Sequence, residues 1–152
     1  MATLERAISI VAEAHAGQRD KSGQPYILHP LRVMLAVRGE AERIAAVLHD
    51  VVEDTRWTLA MLADEGFTPE VLSAVAALTH ETAEAPPPDE AYHAYVARAA
   101  AHPVARTVKA ADLRDNLDLS RIPAPTARDH ARIARYQQAL QMLDDLNGSP
   151  AA

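Results

Sequence analysis

The chain has no cysteine among its 152 residues. Disulfides, thiolate nucleophiles and Cys-ligated zinc are therefore excluded. Aromatic residues are scarce at 4%, and Val, Ile and Thr are sparse beside abundant alanine, a balance that favours helix over strand. No run approaches the ~18–20 apolar residues that span a bilayer as a helix, so no membrane partner is expected. The N-terminal stretch MATLERAISIVAEAHAGQ carries Glu5, Arg6 and Glu13 and lacks a signal peptide's apolar run. A cytoplasmic setting is expected. Basic charge is also lacking: 15 Lys+Arg against 21 Asp+Glu leave a net charge of −6, which argues against a general nucleic-acid binder. Lysine itself is nearly absent. Only Lys21 and Lys109 occur, beside thirteen arginines, which marks both lysines for attention.

What is present is a chain 49% hydrophobic, enough for one packed core and incompatible with wholesale disorder. The expected organisation is one domain over residues 1–148, with 149–152 as a disordered tail. Leu4, Ala7, Ile8 and Val11 fall at helical spacing behind Thr3, and the helix should stop near Gly17. Gly23, Pro25 and Pro30 punctuate a loop, with Pro30 suited to the first position of a second helix ending at Gly39. A third helix should run unbroken from about Glu40 through His49-Asp50-Val51-Val52-Glu53-Asp54. Thr58 to Asp64 reads as a short helix, and Thr68-Pro69 opens another. Residues 80–90, with three prolines and no apolar periodicity, read as a loop and a candidate flap. Helices from about Asp89 to Ala101, Pro103 to Asn116 and Thr126 to Leu146 complete the chain, with Asn147-Gly148 as the last stop. No period-2 alternation appears. The expected fold is all-α, a single compact bundle of several helices.

The densest polar cluster lies in the third helix. At about 100° per residue, His49, Glu53, Asp50 and Asp54 share a polar arc of about 140°, opposite Ile44, Ala45, Val47, Leu48, Val51 and Val52. No Lys or Arg falls in that arc, so three carboxylates repel one another, which a divalent cation would relieve. A solvated acidic helix end is the bland alternative. His29, before Pro30, is a second candidate ligand, although a His in that setting is more often a cap or core residue. Lys109, Asp112 and Asn116 stand at i, i+3 and i+7, one helix face, and together suit a phosphate-bearing ligand beside a metal. The competing reading there is a surface ion pair of little energetic weight.

His29, then His49-Asp50, then Asp112 resembles the pattern of the HD-domain superfamily of metal-dependent phosphohydrolases. The stretches AHAGQ (14–18), SGQPYILHP (22–30), AAVLHDVVEDT (45–55) and VKAADLRDN (108–116) look more closely like the hydrolase domain of the RelA/SpoT family, of which a stand-alone small alarmone hydrolase is one form. The resemblance implies an HD-domain bundle that removes the 3′-pyrophosphate from guanosine tetra- or pentaphosphate, the stringent-response alarmone. It implies His29, His49, Asp50 and Asp112 as ligands of Mn2+ or another divalent transition metal, and Glu53 and Asp54 as the pair that orients or deprotonates water. It puts Lys109 and Asn116 at the substrate and Lys21 near its phosphates, with Arg114 as a further candidate there. Arg132 and Tyr136, at i and i+4, could close the nucleotide site.

Two departures stand out. The family reads GQ-x-R before the Ser-Gly, whereas here Gln18-Arg19-Asp20-Lys21-Ser22-Gly23 puts Asp20 in the arginine slot and Arg19, a candidate substrate contact, one place early. The 80–90 loop also lacks the usual aromatic-plus-Lys segment; Tyr92 and Tyr95, in the next helix, read as core or rim. His15, His80, His93, His102 and His130 have no partner pattern and read as structural or exposed. The expected partner is a small nucleotide, with a homo-oligomer left open. Two rival functions remain: an HD phosphohydrolase for another nucleotide or phosphorylated metabolite, and a metal-bound nucleotide sensor without turnover.

Overall fold

The computed structural model describes residues 1–80, 89–122 and 124–148; residues 81–88 of the candidate flap over 80–90 and the tail from 149 lie outside the described residues. Helices carry the fold, and among the described residues the only extended pairing is an isolated antiparallel bridge between Arg19 and Pro25. The all-α expectation holds.

Helix α1 (Leu4–Ala14) starts where the Thr3 hydroxyl accepts the Arg6 N–H at 3.1 Å, and it buries Ala7, Ile10 and Val11. Helix α2 (Leu28–Ala36) begins two residues before the expected start at Pro30. Bonds from the Leu28 and His29 amides to the Pro25 and Tyr26 carbonyls wind this entry. Pro30 still lies in the first turn, where its missing N–H leaves no bond unmade.

The third expected helix is two. Helix α3 (Glu40–Leu48) ends at a turn over His49 and Asp50, and α4 (Val51–Asp54) resumes beyond it. At the break the His49 ring nitrogen Nδ1 takes the Ala46 carbonyl at 2.6 Å. A side chain that captures a carbonyl competes with the helix ladder. The helical-wheel arc therefore does not describe this segment; the turn, not a continuous helix face, aims His49 and Asp50.

Helices α5 (Leu59–Asp64) and α6 (Pro69–Leu78) open behind Thr58 and Thr68, whose hydroxyls accept the Met61 and Val71 amides at 3.1 and 3.3 Å. Then come α7 (Asp89–Ala100), α8 (Pro103–Asn116), one 3-10 turn (Leu119–Arg121) and α9 (Ala127–Gly148), which runs through the Asn147-Gly148 pair expected to stop it. His102 caps α8, its Nδ1 accepting the Ala105 N–H at 3.3 Å.

Helix α3 is the hub: Ile44 to Leu48 are all buried, against α1, α2, α6 and α8. Helix α8 spans two apolar clusters. Val104, Ala105, Val108 and Ala111 join the larger one around α3, while Ala110 and Leu113 join Tyr92, Tyr95, Val96, Ala139 and Leu143 of α7 and α9. Leu48, Leu62, Leu113 and Leu143 are fully buried, each contributing about 1.5–3 kcal/mol. Clamped on both sides, α8 holds Lys109 and Asp112 buried between the clusters. Among the described residues no helix is long and apolar enough to cross a membrane.

Candidate metal centre and substrate cavity

Four side chains from three segments meet beside a cavity of about 460 Å³; His29, Asp50 and Asp112 line it, and His49 is buried next to them without lining it. His29 comes from the first turn of α2, His49 and Asp50 from the turn after α3, and Asp112 from the middle of α8. Ligand atoms of His29, His49 and Asp112 all lie within 4.8 Å of one another, and all three residues are buried. Asp50 Oδ2 is 3.1 Å from His49 Nε2 and 3.9 Å from His29 Nε2.

Hydrogen bonds behind the imidazoles determine which nitrogen faces the cluster. The His49 Nδ1–H donates to the Ala46 carbonyl at 2.6 Å, and the His29 Nδ1–H to Asp115 Oδ2 at 2.6 Å. Nε2 of each ring is left pointing inward. Among the described residues the His49 Nε2 is buried with no hydrogen-bond partner, while Asp112 Oδ1 stands only 3.4 Å away. Acceptor nitrogens gathered among carboxylate oxygens require protons or a cation between them. Without one, the histidines must hold protons. Burial opposes that charge, yet Asp50 and Asp112 outweigh it and raise His49 well above the usual imidazole value, as Asp112 and Asp115 raise His29. Burial likewise opposes ionisation of Asp50, but His49 holds its carboxyl down to about 2. Two imidazoles and two carboxylates fit a borderline divalent cation, so the residues present suit the group that the motif implies.

Around this set the other carboxylates and cations are ordered. The Tyr26 hydroxyl donates to Asp50 Oδ2. Asp112 accepts His29 at 2.9 Å and the Asn116 amide at 3.1 Å on Oδ1, and Lys109 at 2.8 Å on Oδ2. The Lys109 ammonium also lies 4.9 Å from the Tyr95 ring centroid. Burial disfavours its charge, but Asp112 more than offsets this and lifts Lys109 well above a free lysine. Glu53 lines the cavity, its Oε1 accepting the His80 backbone N–H at 2.6 Å. Asp54 does not line it. Burial, then Asp50 and Glu53, push the Asp54 carboxyl up to about 6.

All six residues expected at the substrate, Arg19, Lys21, Lys109, Asn116, Arg132 and Tyr136, line this cavity. Arg114 does not: it is exposed and pairs with Asp144 on α9. Being two residues from Asp112, it faces away from the site, as helical geometry demands. Asp20 lines the cavity but turns its Oδ1 back into its own loop, accepting the Ser22 N–H at 2.9 Å, the Ser22 hydroxyl at 2.7 Å and the Gln24 N–H at 3.0 Å. Gly23, at φ +81°, closes this turn, and Lys21 sits at its tip.

Sequence reasoning missed several neighbours. His80, expected to be structural or exposed, lines the cavity and stacks on Tyr95 with centroids 3.8 Å apart. Tyr95 is core, as expected, and cavity wall as well; its hydroxyl donates to the Leu78 carbonyl at 2.7 Å. Tyr26, Arg32, Asp115 and Arg121 also line the cavity. Asp115, one turn beyond Asp112, and Tyr26, one turn before His29, carried a spacing signal; His80 and Arg121 carried none.

The family model described as an HD domain matches residues 7–103. The chain belongs to the HD-domain family. This HD domain is 44% identical over 69 residues to a probable GTP pyrophosphokinase of Mycobacterium leprae (strain TN), covering 43% of this chain and 9% of that protein. It is 37% identical over 81 residues to a guanosine-3′,5′-bis(diphosphate) 3′-pyrophosphohydrolase of Borreliella burgdorferi, covering 51% of this chain and 12% of that one. The chain thus spans about a tenth of the length of these curated relatives. A solved structure of a metazoan orthologue of SpoT, described as hydrolysing ppGpp with a role in starvation responses, matches at TM-score 0.80 and 26% identity. That match covers 99% of this HD domain and 89% of the solved chain. It extends beyond residue 103 and so takes in Asp112.

Proposed function

We propose that this HD domain hydrolyses guanosine tetra- or pentaphosphate to GDP or GTP and pyrophosphate, with a manganese ion held by His29, His49, Asp50 and Asp112. The observation that carries the reading is a two-His, two-Asp cluster, three of whose members line a cavity that also bears Arg19, Lys21, Lys109, Arg121 and Arg132. Ligands for a divalent cation beside cations for phosphate suit a pyrophosphate ester better than an uncharged substrate. The solved structure that matches along nearly the whole chain belongs to a ppGpp hydrolase, which supports the same substrate.

In this reading water forms a bond to the phosphorus carried by the 3′ oxygen, and the bond between that phosphorus and the 3′ oxygen breaks. A bound cation would lower the pKa of water and draw charge from the phosphoryl oxygens. Glu53 orients the water and accepts its proton through the oxygen not held by His80, while Asp54, outside the cavity lining and pushed up to about 6, exchanges that proton with Glu53 near neutral pH. The proton given up by water passes to Glu53, and a proton returned by way of solvent leaves with the 3′ oxygen. Lys109 and Asn116 hold the pyrophosphate near Asp112, while Lys21, Arg19, Arg132 and Tyr136 engage the rest of the nucleotide. Attraction of an anion to a chain of net charge −6 then depends on this local field.

A second reading, hydrolysis of another nucleotide by the same chemistry, draws on Asp20. Its hydrogen bonds within its own loop leave no arginine at that place to meet a base. The test is product analysis with manganese and a nucleotide panel that includes guanosine tetraphosphate. Release of GDP and pyrophosphate near ~1 s⁻¹ or faster supports the alarmone reading. Turnover of another member alone moves the substrate, and silence across the panel despite bound metal favours a sensor.

A further inference from the structure

Helices α2 and α8 face each other across the centre with two matching rungs. His29 and Arg32 stand one turn apart on α2; Asp112 and Asp115 stand one turn apart on α8. His29 Nε2 meets Asp112 Oδ1 at 2.9 Å, and Arg32 clasps Asp115 through Nε at 2.7 Å and Nη2 at 3.1 Å. A diagonal joins the rungs: Asp115 Oδ2 also accepts the His29 Nδ1–H at 2.6 Å. From the 3-10 turn, Arg121 donates to the Asp115 backbone carbonyl at 2.7 Å and lies 3.5 Å from Oδ2.

We propose that Asp115, gripped by Arg32 and Arg121, is a positioning residue that locks the His29 ring and aims its Nε2 at the divalent cation. This rests on the reading of the cluster as a metal site, not on the alarmone as substrate. An ion pair made only to tie α2 to α8 would need no contact with the imidazole. Here the carboxylate meets the ring nitrogen opposite the one that faces the cluster, so it selects the tautomer and stabilises the positive charge a bound cation induces on the ring. The two arginines compensate the carboxylate, so Asp115 strengthens the ligand without leaving an unpaired buried anion.

The probe is Mn2+ alone, titrated calorimetrically into the full chain and into Asp115→Ala, Asp115→Asn and Arg32→Met. Removing such a partner weakens metal affinity about 10–100-fold, which is the loss expected for Asp115→Ala. Asp115→Asn keeps an acceptor oxygen and should recover much of it, and Arg32→Met should shift affinity the same way by less. Ring-nitrogen NMR of the cation-free protein supplies a second readout. An exchange-protected His29 Nδ1–H signal in the parent should disappear in Asp115→Ala.

A folded Asp115→Ala that binds Mn2+ within about twofold of the parent, or keeps that signal, overturns the proposal. If Asp115→Ala does not fold, unchanged affinity in Arg32→Met overturns it instead. A parent chain that takes up no Mn2+ refutes the metal-site reading and this inference with it. A parent that binds Mn2+ yet leaves the alarmone intact refutes the substrate alone.

Discussion

Lys109→Met tests whether the ammonium at the cavity wall is a structural counter-ion to Asp112. Lys109 is 8% exposed, donates to Asp112 Oδ2 at 2.8 Å and lies 4.9 Å from the Tyr95 ring. Methionine keeps much of the length and apolar stem, so cavity formation is a small part of the effect. The loss is a charge-assisted hydrogen bond, about 1.5–3 kcal/mol, and a desolvated cation–π contact of about 1 kcal/mol. Removing one partner of a buried ion pair costs about 3–5 kcal/mol when the other charge is left uncompensated. Asp112 retains His29 at 2.9 Å and Asn116 at 3.1 Å, which places the expected destabilisation at about 2–4 kcal/mol. For a chain of this size that lowers the thermal midpoint by about 5–15 °C. The assay is thermal and urea unfolding by far-UV circular dichroism in chelator at neutral pH. Saturating Mn2+ should narrow the gap between variant and parent, since a cation restores the charge that Asp112 has lost. A change below about 1 kcal/mol in chelator, or a gap that manganese leaves untouched, would refute the assignment.

Glu53→Gln should leave Mn2+ affinity near that of the parent and lower kcat about 10²–10⁴-fold, because it removes a proton acceptor and no expected ligand; full turnover with metal bound would show that the water-handling role lies elsewhere. Asp20→Ala should release the Ser22 and Gln24 amides and loosen the loop that carries Lys21, costing about 1 kcal/mol per lost bond at most. KM should rise more than kcat falls, and steady-state kinetics would expose the opposite split. The Asp54 carboxyl is raised to about 6, so the folded protein holds a proton there that the unfolded chain, near the ordinary value of 3.8, has released. That contribution is fully present below about pH 3.8 and is lost as pH rises through about 6. Asp54→Asn should accordingly flatten the decline in cation-free stability over that interval, and urea midpoints measured across it check the sign.

Much of the site was legible because short-range spacing carries it. Lys109, Asp112 and Asn116 share a face on any helix that spans them, and α8 does begin at Pro103 and end at Asn116. His29 precedes a proline that belongs in a first turn, and it lies in one. The turn at His49-Asp50 was not legible. The segment's local pattern is helical throughout, and the break depends on a side chain bonding the Ala46 carbonyl, a choice between two local bonds that composition does not reveal. His80 was invisible for another reason. Its place at the cavity comes from stacking on Tyr95, fifteen residues away, and from Glu53 holding its amide.

The amino-acid sequence alone determined the chemistry available: no thiol, an alanine-rich all-helical chain, two lysines, and imidazoles and carboxylates in an order that suits a divalent cation. Tertiary structure decided which of those groups can act together. Packing α8 between two apolar clusters sets Asp112 against His29, eighty-three positions distant. The same packing made Asp115 a partner of His29. Periodicity reports which residues share one element's face. Which faces meet is decided by the burial of side chains far apart in the chain, and there the carboxylates acquire their partners.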